Sequence, residues 1–178
     1  PGTARTFDGR ARRDEPRSRT PLRSRRYTAA VMPTEPHIYV DADACPVKAE
    51  LAKVAARHGL AETYVANAWM QTPRAPRVRM QVVAGQFDAA DDWIAGQAQP
   101  ADVVITADIP LASRCLKAGA RVLGPSGKPF TDDNIGNALA TRELMADLRA
   151  YGVGGGPPPF GPRDRSRFLE ALERVVRD

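Results

Sequence analysis

The run VVIT at 103–106 puts three apolar side chains in a row before its threonine. A strand with one face in water alternates apolar and polar residues. A strand covered on both faces does not, and that arrangement belongs to parallel sheets with helices on either side. The run therefore predicts a mostly parallel sheet between two helical layers. Residues 37–40 read as a short buried strand. Pro46 suits the first position of a helix. Val47, Leu51, Val54 and Ala55 follow at helical spacing, and Gly59 is placed to end it. Further strands are expected at 63–66, 78–84 and 121–123, and further helices at 88–96 and at 110–118 before Gly119. The stretch NAWMQTPRAPR, with its two prolines, reads as loop.

From Thr131 the pattern changes. Ile135, Ala138, Leu139, Met145 and Leu148 make the stripe of a long helix, the loop GVGGGPPPFGP interrupts it, and Phe168, Leu169, Leu172, Val175 and Val176 mark one side of a last helix. Strands alternating with helices give one α/β domain over 37–178, a three-layer α/β/α arrangement without internal repeat.

The charge is unevenly spread. Residues 1–36 hold nine arginines, no lysine and four acids (Asp8, Asp14, Glu15, Glu35), so 9 − 4 = +5, the whole net charge of the chain. The remainder has 26 − 9 = 17 bases and 21 − 4 = 17 acids. The first 36 residues lack a core-forming pattern and are expected to be a disordered, arginine-rich extension. Nucleic-acid binding, a transit-like role, or a position upstream of a natural start at Met32 all fit such a segment, and the last is the plainest. No apolar run approaches the roughly 18 residues of a membrane span, and no secretory signal is expected. Two cysteines, Cys45 and Cys115, suggest neither a disulfide framework nor a zinc site, and fit a reducing, cytoplasmic setting.

In open parallel sheets, ligands bind beyond the carboxyl ends of the strands. The acids gather there. Asp41 and Asp43 follow the first strand, Asp108 follows VVIT, and Asp88, Asp91 and Asp92 open the helix after VVAGQF. Clustered carboxylates repel one another unless a cation or proton intervenes. An oxygen-only donor set suits Mg²⁺ or Mn²⁺, and such ions support phosphodiester cleavage by water. Structural readings stand beside this one. Asp88, Asp91 and Asp92 would complement a helix N-terminus, Asp43 could cap the helix at Pro46, and Asp132 with Asp133 reads as capping. Cys45 reads as packing, and His37 and His58 have no evident role. GPSGKPF is a turn and lacks the order of a phosphate loop.

The motifs DADACPVK, FDAADDWI, VVITADIPLA and GKPFTDDNIGNALATRELMADLR, with the Gly-Pro-Phe loop before DRSRF, resemble the YaiI/YqxD family of bacterial proteins. The resemblance covers roughly 37–178 and leaves out the arginine-rich extension. It implies a PIN-like domain, related to metal-dependent ribonucleases with an acidic site on a parallel sheet. It implies Asp41, Asp91 and Asp108 as catalytic carboxylates, and Asp41, Asp43, Asp88, Asp91 and Asp108 as the metal donors. Asp92 falls where related sequences are less uniform. Asn134, Arg142, Arg149, Gly155, Gly156, Pro157, Asp164 and Arg165 are shared as well. Of these, Asn134, Arg142, Arg149 and Arg165 are candidates to hold phosphate, although an arginine there serves an internal salt bridge equally well.

The expectation is a Mg²⁺- or Mn²⁺-dependent nuclease acting on RNA or another phosphate ester. The charge-neutral domain departs from the basic stripe usual in nucleic-acid enzymes. One alternative is a phosphatase of the haloacid-dehalogenase kind, with Asp41 as nucleophile and Asp43 as acid. It would use Thr106 and either Lys117 or Lys128, but Cys45 stands where Thr or Val is usual. Its late acidic pair would have to be Asp132 and Asp133, at a helix start. The other alternative is a metal- or nucleic-acid-binding module without turnover.

Overall fold

The structure is a computed structural model of the chain and describes Gly2 and residues 35–43, 45–85, 88–152 and 159–177. The chain divides into two units, Pro1–Pro33 and Thr34–Asp178, and the fold is that of the second. Apart from Gly2, Glu35 and Pro36, the extension lies outside the described residues, as do Met32, Gly155, Gly156 and Pro157.

Six strands form one sheet in the order β3-β2-β1-β4-β5-β6. They are β1 (His37–Asp41), β2 (Ala61–Ala66), β3 (Val78–Val82), β4 (Val103–Ile105), β5 (Arg121–Leu123) and β6 (Pro129–Phe130). The first five are parallel, and β6 pairs antiparallel with β5. Five helices complete the fold: α1 (Lys48–His58), α2 (Ala89–Gln97), α3 (Ile109–Lys117), α4 (Asp132–Ala150) and α5 (Pro162–Val175).

Side chains alternate between the two faces of a strand, and that alternation divides the core in two. Ile38, Val40, Tyr64, Ala66, Val103, Ile105 and Leu123 pack with Leu51 and Val54 of α1 and Phe168 and Leu172 of α5. The intervening Val65, Val104 and Val122 pack with Ile94 of α2 and Leu111, Ala112 and Cys115 of α3. The result is a three-layer α/β/α sandwich in which VVI is buried on both faces, for the reason its composition gave. Two glycines matter to this packing. Gly59 adopts φ 66° to end α1. Gly127, at φ 80°, lets the turn before β6 lie against α5, where a Cβ would come within 2.6 Å of the Arg167 backbone.

Several boundaries differ from the sequence expectation. α1 begins at Lys48, with Val47 as its N-cap and no side-chain cap. Pro46 therefore lies in the preceding turn, and Asp43 does not cap the helix. β2 begins two residues earlier than expected, at Ala61, and β3 ends at Val82. β6 has only two residues, too few to show a period. The long helix α4 is present with its expected stripe, of which Ile135, Ala138, Leu139 and Leu148 are partly covered and Met145 is exposed. Ile135 packs on the α3 side of the core, but no residue of α4 is fully buried, and Leu144 and Met145 are 58% and 49% exposed. At 1.5 Å per residue the helix runs roughly 28 Å, about twice the length of the nine-residue α3 that it packs against. The helix therefore runs on past its neighbour. Among the described residues no helix is long and apolar enough to cross a membrane.

Phe168 is fully buried and joins α5 to the sheet. Phe168→Ala should therefore lower the unfolding free energy by about 3–5 kcal/mol. Urea denaturation checks this, and a loss of about 0.5 kcal/mol or less, the size of an ordinary surface change, would mean that α5 is not part of the cooperative core.

Candidate functional site

Strand order fixes where the site lies. From β1 the chain moves one way across the sheet, through β2 to β3, then returns to the other side of β1 for β4 and β5. The reversal falls between β1 and β4, and the crevice at their carboxyl ends is where open α/β sheets bind ligands. Asp41 is the last residue of β1, Thr106 follows β4 directly, and Asp108 is two residues on, at the N-cap of α3. Asp43 lies in the turn after β1. Asp88 stands at the N-cap of α2 without a side-chain cap bond, and Asp91 is in that helix's first turn.

A hydrogen-bond chain links the two central strands. The buried Thr106 hydroxyl donates to Asp41 Oδ2 at 2.9 Å, and Thr106 Oγ1 accepts from the Asp108 backbone N–H at 2.9 Å. Asp108 Oδ1 accepts from the Leu111 N–H at 2.8 Å, so this carboxylate also caps α3. The Asp43 backbone N–H donates to the Asp41 carboxylate, and Asp43 Oδ2 accepts from the Asn67 N–H at 3.4 Å.

The acids affect one another. Burial pushes the Asp41 carboxyl above the usual range; the Thr106 bond opposes this, while the charges of Asp43 and Asp108 add to it. Asp91 is pushed up to about 6, first by burial and then by Asp41, Asp108 and Asp88, against the pull of Arg114. Asp41, Asp43, Asp88, Asp91 and Asp108 thus share one electrostatic neighbourhood. Asp92 instead pairs with Arg114 at 2.8 Å.

The chemistry of this donor set fits a hard divalent cation: oxygens only, with like charges that a cation would relieve. The side chains do not close on a common point as they stand. Among the described residues, no three His, Cys, Asp or Glu groups are arranged to ligate one ion. Asp43 and Asp88 are exposed and Asp91 is half-buried.

The remaining candidates lie elsewhere. Arg165 pairs with Glu50 at 3.0 Å, bonds the Pro46 carbonyl and sits over the Phe160 ring. Arg149 Nε donates to the Met145 carbonyl in its own helix. Asn134 Oδ1 accepts from the Thr131 N–H, and its Nδ2 donates to the Pro129 carbonyl, which ties the start of α4 to β6. Arg142 is exposed on α4. Asp132 and Asp133 occupy the first turn of α4, after its Thr131 N-cap. Cys45 is buried in the core, and burial pushes its thiol up to about 11. His37 opens β1, at the opposite edge of the sheet, and contacts Thr63 Oγ1; His58 contacts Glu173. Thr106 entered the sequence reading only through the phosphatase alternative. Its signal was the hydroxyl ending an apolar strand, two residues before an aspartate.

A family model described as "Uncharacterized BCR, YaiI/YqxD family" matches residues 39–178. The chain belongs to this family. It is 57% identical over 146 residues to a UPF0178 protein of Rhodopseudomonas palustris strain BisB5, covering 82% of this chain and 89% of that protein. A UPF0178 protein of Bradyrhizobium diazoefficiens is 55% identical, covering 81% of this chain and 87% of its own length. One of Nitrobacter winogradskyi is 56% identical, with coverages of 79% and 90%. No solved structure matches. The YaiI/YqxD match begins within β1, at Tyr39, and spans every later strand and helix that positions the carboxylates.

Two predictions follow from the geometry of this YaiI/YqxD domain. The folded-state pKa of Asp91 is raised, so the native state holds a proton that the unfolded chain has released between about pH 4 and pH 6. Stability contributed by that proton is lost as pH rises through about 6. Asp91→Asn should therefore melt higher than the parent at pH 7.5 and no higher near pH 4. Equal melting temperatures at both values would show that the carboxylates do not interact. Thr106→Val keeps the shape but leaves Asp41 Oδ2 and the Asp108 N–H without their partner; urea unfolding should show a loss of about 1–3 kcal/mol.

Proposed function

We propose that this protein is a divalent-cation-dependent phosphodiester hydrolase, a nuclease acting on RNA. The observation that carries the reading is the gathering of Asp41, Asp43, Asp88, Asp91 and Asp108 at the sheet's switch point, where burial first, and then the charges of neighbouring acids, raise the pKa values of Asp41 and Asp91. Such a set is unfavourable by itself and becomes favourable around a cation. Asp41 and Asp108 are the central holders of Mg²⁺ or Mn²⁺, with Asp43, Asp88 and Asp91 completing the donor set. Bound there, the ion would supply a water of lowered pKa and charge stabilisation for the leaving oxygen.

Thr106 fixes the Asp41 carboxylate through the bond at Oδ2, and the Leu111 N–H fixes Asp108 through Oδ1. Asp41, Asp91 and Asp108 are the catalytic carboxylates of this reading. Water attacks phosphorus, the bond from phosphorus to the leaving oxygen breaks, and no phosphoryl group passes to the protein.

Calorimetric titration with Mn²⁺ should show binding that Asp41→Asn and Asp108→Asn each abolish. Asparagine is itself a good N-cap, so Asp108→Asn separates ion binding from loss of the α3 cap. Manganese-dependent cleavage of end-labelled single-stranded RNA should disappear in the same variants. Unchanged heats in both variants would make these aspartates ordinary structural acids. A phosphate adduct on Asp41 during turnover would overturn the water mechanism.

A further inference from the structure

Beside the carboxylate edge lies a cleft of about 580 Å³, between β6 and the exposed length of α4. Ala107 and Ile109, on either side of Asp108, form part of its lining, so it opens next to the proposed hydrolytic site. Lys128 lines it just before β6, and Arg142 from α4. Both side chains are exposed, and among the described residues neither has an ion-pair partner. Several other arginines are not free in this way: Arg57, Arg77, Arg114 and Arg165 each meet a carboxylate. The rest of the lining is mostly apolar, with Phe130, Ile109 and the half-exposed Met145, beside the polar Asn134, Asn137 and Thr141.

Two unpaired cations and a mostly apolar lining match a ligand with a flat hydrophobic ring and flanking phosphates. The volume is within the range of sites that seat one small molecule or nucleotide. A base can reach an apolar wall only when it is unstacked, which favours a single strand over a duplex. The position adds a further reason. An acidic edge repels a polyanion, so a strand crossing it needs cations beside the scissile phosphate.

We propose that the cleft between β6 and α4 seats one nucleotide of a single-stranded polynucleotide, with the phosphates on its two sides held by Lys128 and Arg142 and its base against Phe130 and Met145. The assignment of the cleft as a substrate groove rests on reading the carboxylate edge as a phosphodiesterase.

Fluorescence anisotropy with a labelled short oligouridylate in EDTA measures binding without turnover. The Lys128→Ala/Arg142→Ala protein should bind about tenfold or more weakly, and the slope of log affinity against log salt should fall by about 1.4, the value for two single-strand phosphate contacts. Met145→Ala should weaken binding with the slope unchanged. Lys53→Ala/Arg174→Ala removes two exposed cations from the α1 and α5 face and should bind like the parent. Thermal melts at the parental temperature would show that the variants are folded.

The groove is overturned if the parent does not bind the oligonucleotide, if Lys128→Ala/Arg142→Ala binds as the parent does, or if the control pair loses as much affinity. A cleavage assay separates this from the hydrolase reading. Lost binding in the groove variants, with no cleavage by the parent, supports the groove and removes the hydrolase. Cleavage by the groove variants at the parental rate under sub-saturating substrate removes the groove and leaves the hydrolase standing.

Discussion

The Thr106 hydroxyl spans the seam between β1 and β4, and the geometry of the site depends on that bridge. It donates to Asp41 Oδ2 and accepts from the Asp108 N–H, so one buried oxygen sets the position of a carboxylate on one strand and the start of a helix on the next. The bridge is possible because β1 and β4 are parallel and in register, Val40 beside Ile105. Their ends therefore reach the same edge together. An antiparallel pairing would send the two aspartates to opposite ends of the sheet.

Keeping a carboxylate beneath that edge opposes stability. Asp41 is 8% exposed and its ionised form is disfavoured by burial and by neighbouring charge. A core that buries VVI on both faces and seats Phe168 and Leu172 under the sheet offsets this. The division of labour is spatial. The apolar side chains fill the two interlayer spaces, while the acids stand at strand and helix ends, where backbone N–H groups are left over and can donate to them. Asp108 shows both roles in one side chain, since Oδ1 completes the cap of α3 while the carboxylate remains part of the acidic edge.

What the sequence revealed followed from pattern length. VVIT and the strand before Asp41 were legible because a continuous apolar run has few solutions, and α5 because Phe168 and Leu172 repeat at helical spacing. Asp41 and Asp108 stood out because each comes after such a run. The two-residue β6 was invisible, as a period needs more than two positions. The start of α1 was misplaced because Pro46 is as good in a turn as at a first helical position. In α4 the apolar stripe marked the face that is partly covered, but not how far along its length the neighbouring α3 reaches. The Thr106 bridge left little trace, because a hydroxyl between strands 65 residues apart in sequence has no local signature.

Net charge is a poor guide to what this domain can hold. Residues 37–178 balance 17 bases against 17 acids, and by that measure a polyanion has no reason to approach. Yet screening confines a charge's influence to about 8 Å at physiological ionic strength, so a ligand responds to the groups near it and not to the total. Along one edge of this fold the signs are separated. Acids end β1 and open α2 and α3, while Lys128 and Arg142 line the neighbouring cleft. The exposed length of α4 makes that separation possible. A helix as short as the nine-residue α3 that it packs against would end before Arg142 and would leave Lys128 alone to line the cleft with a positive charge.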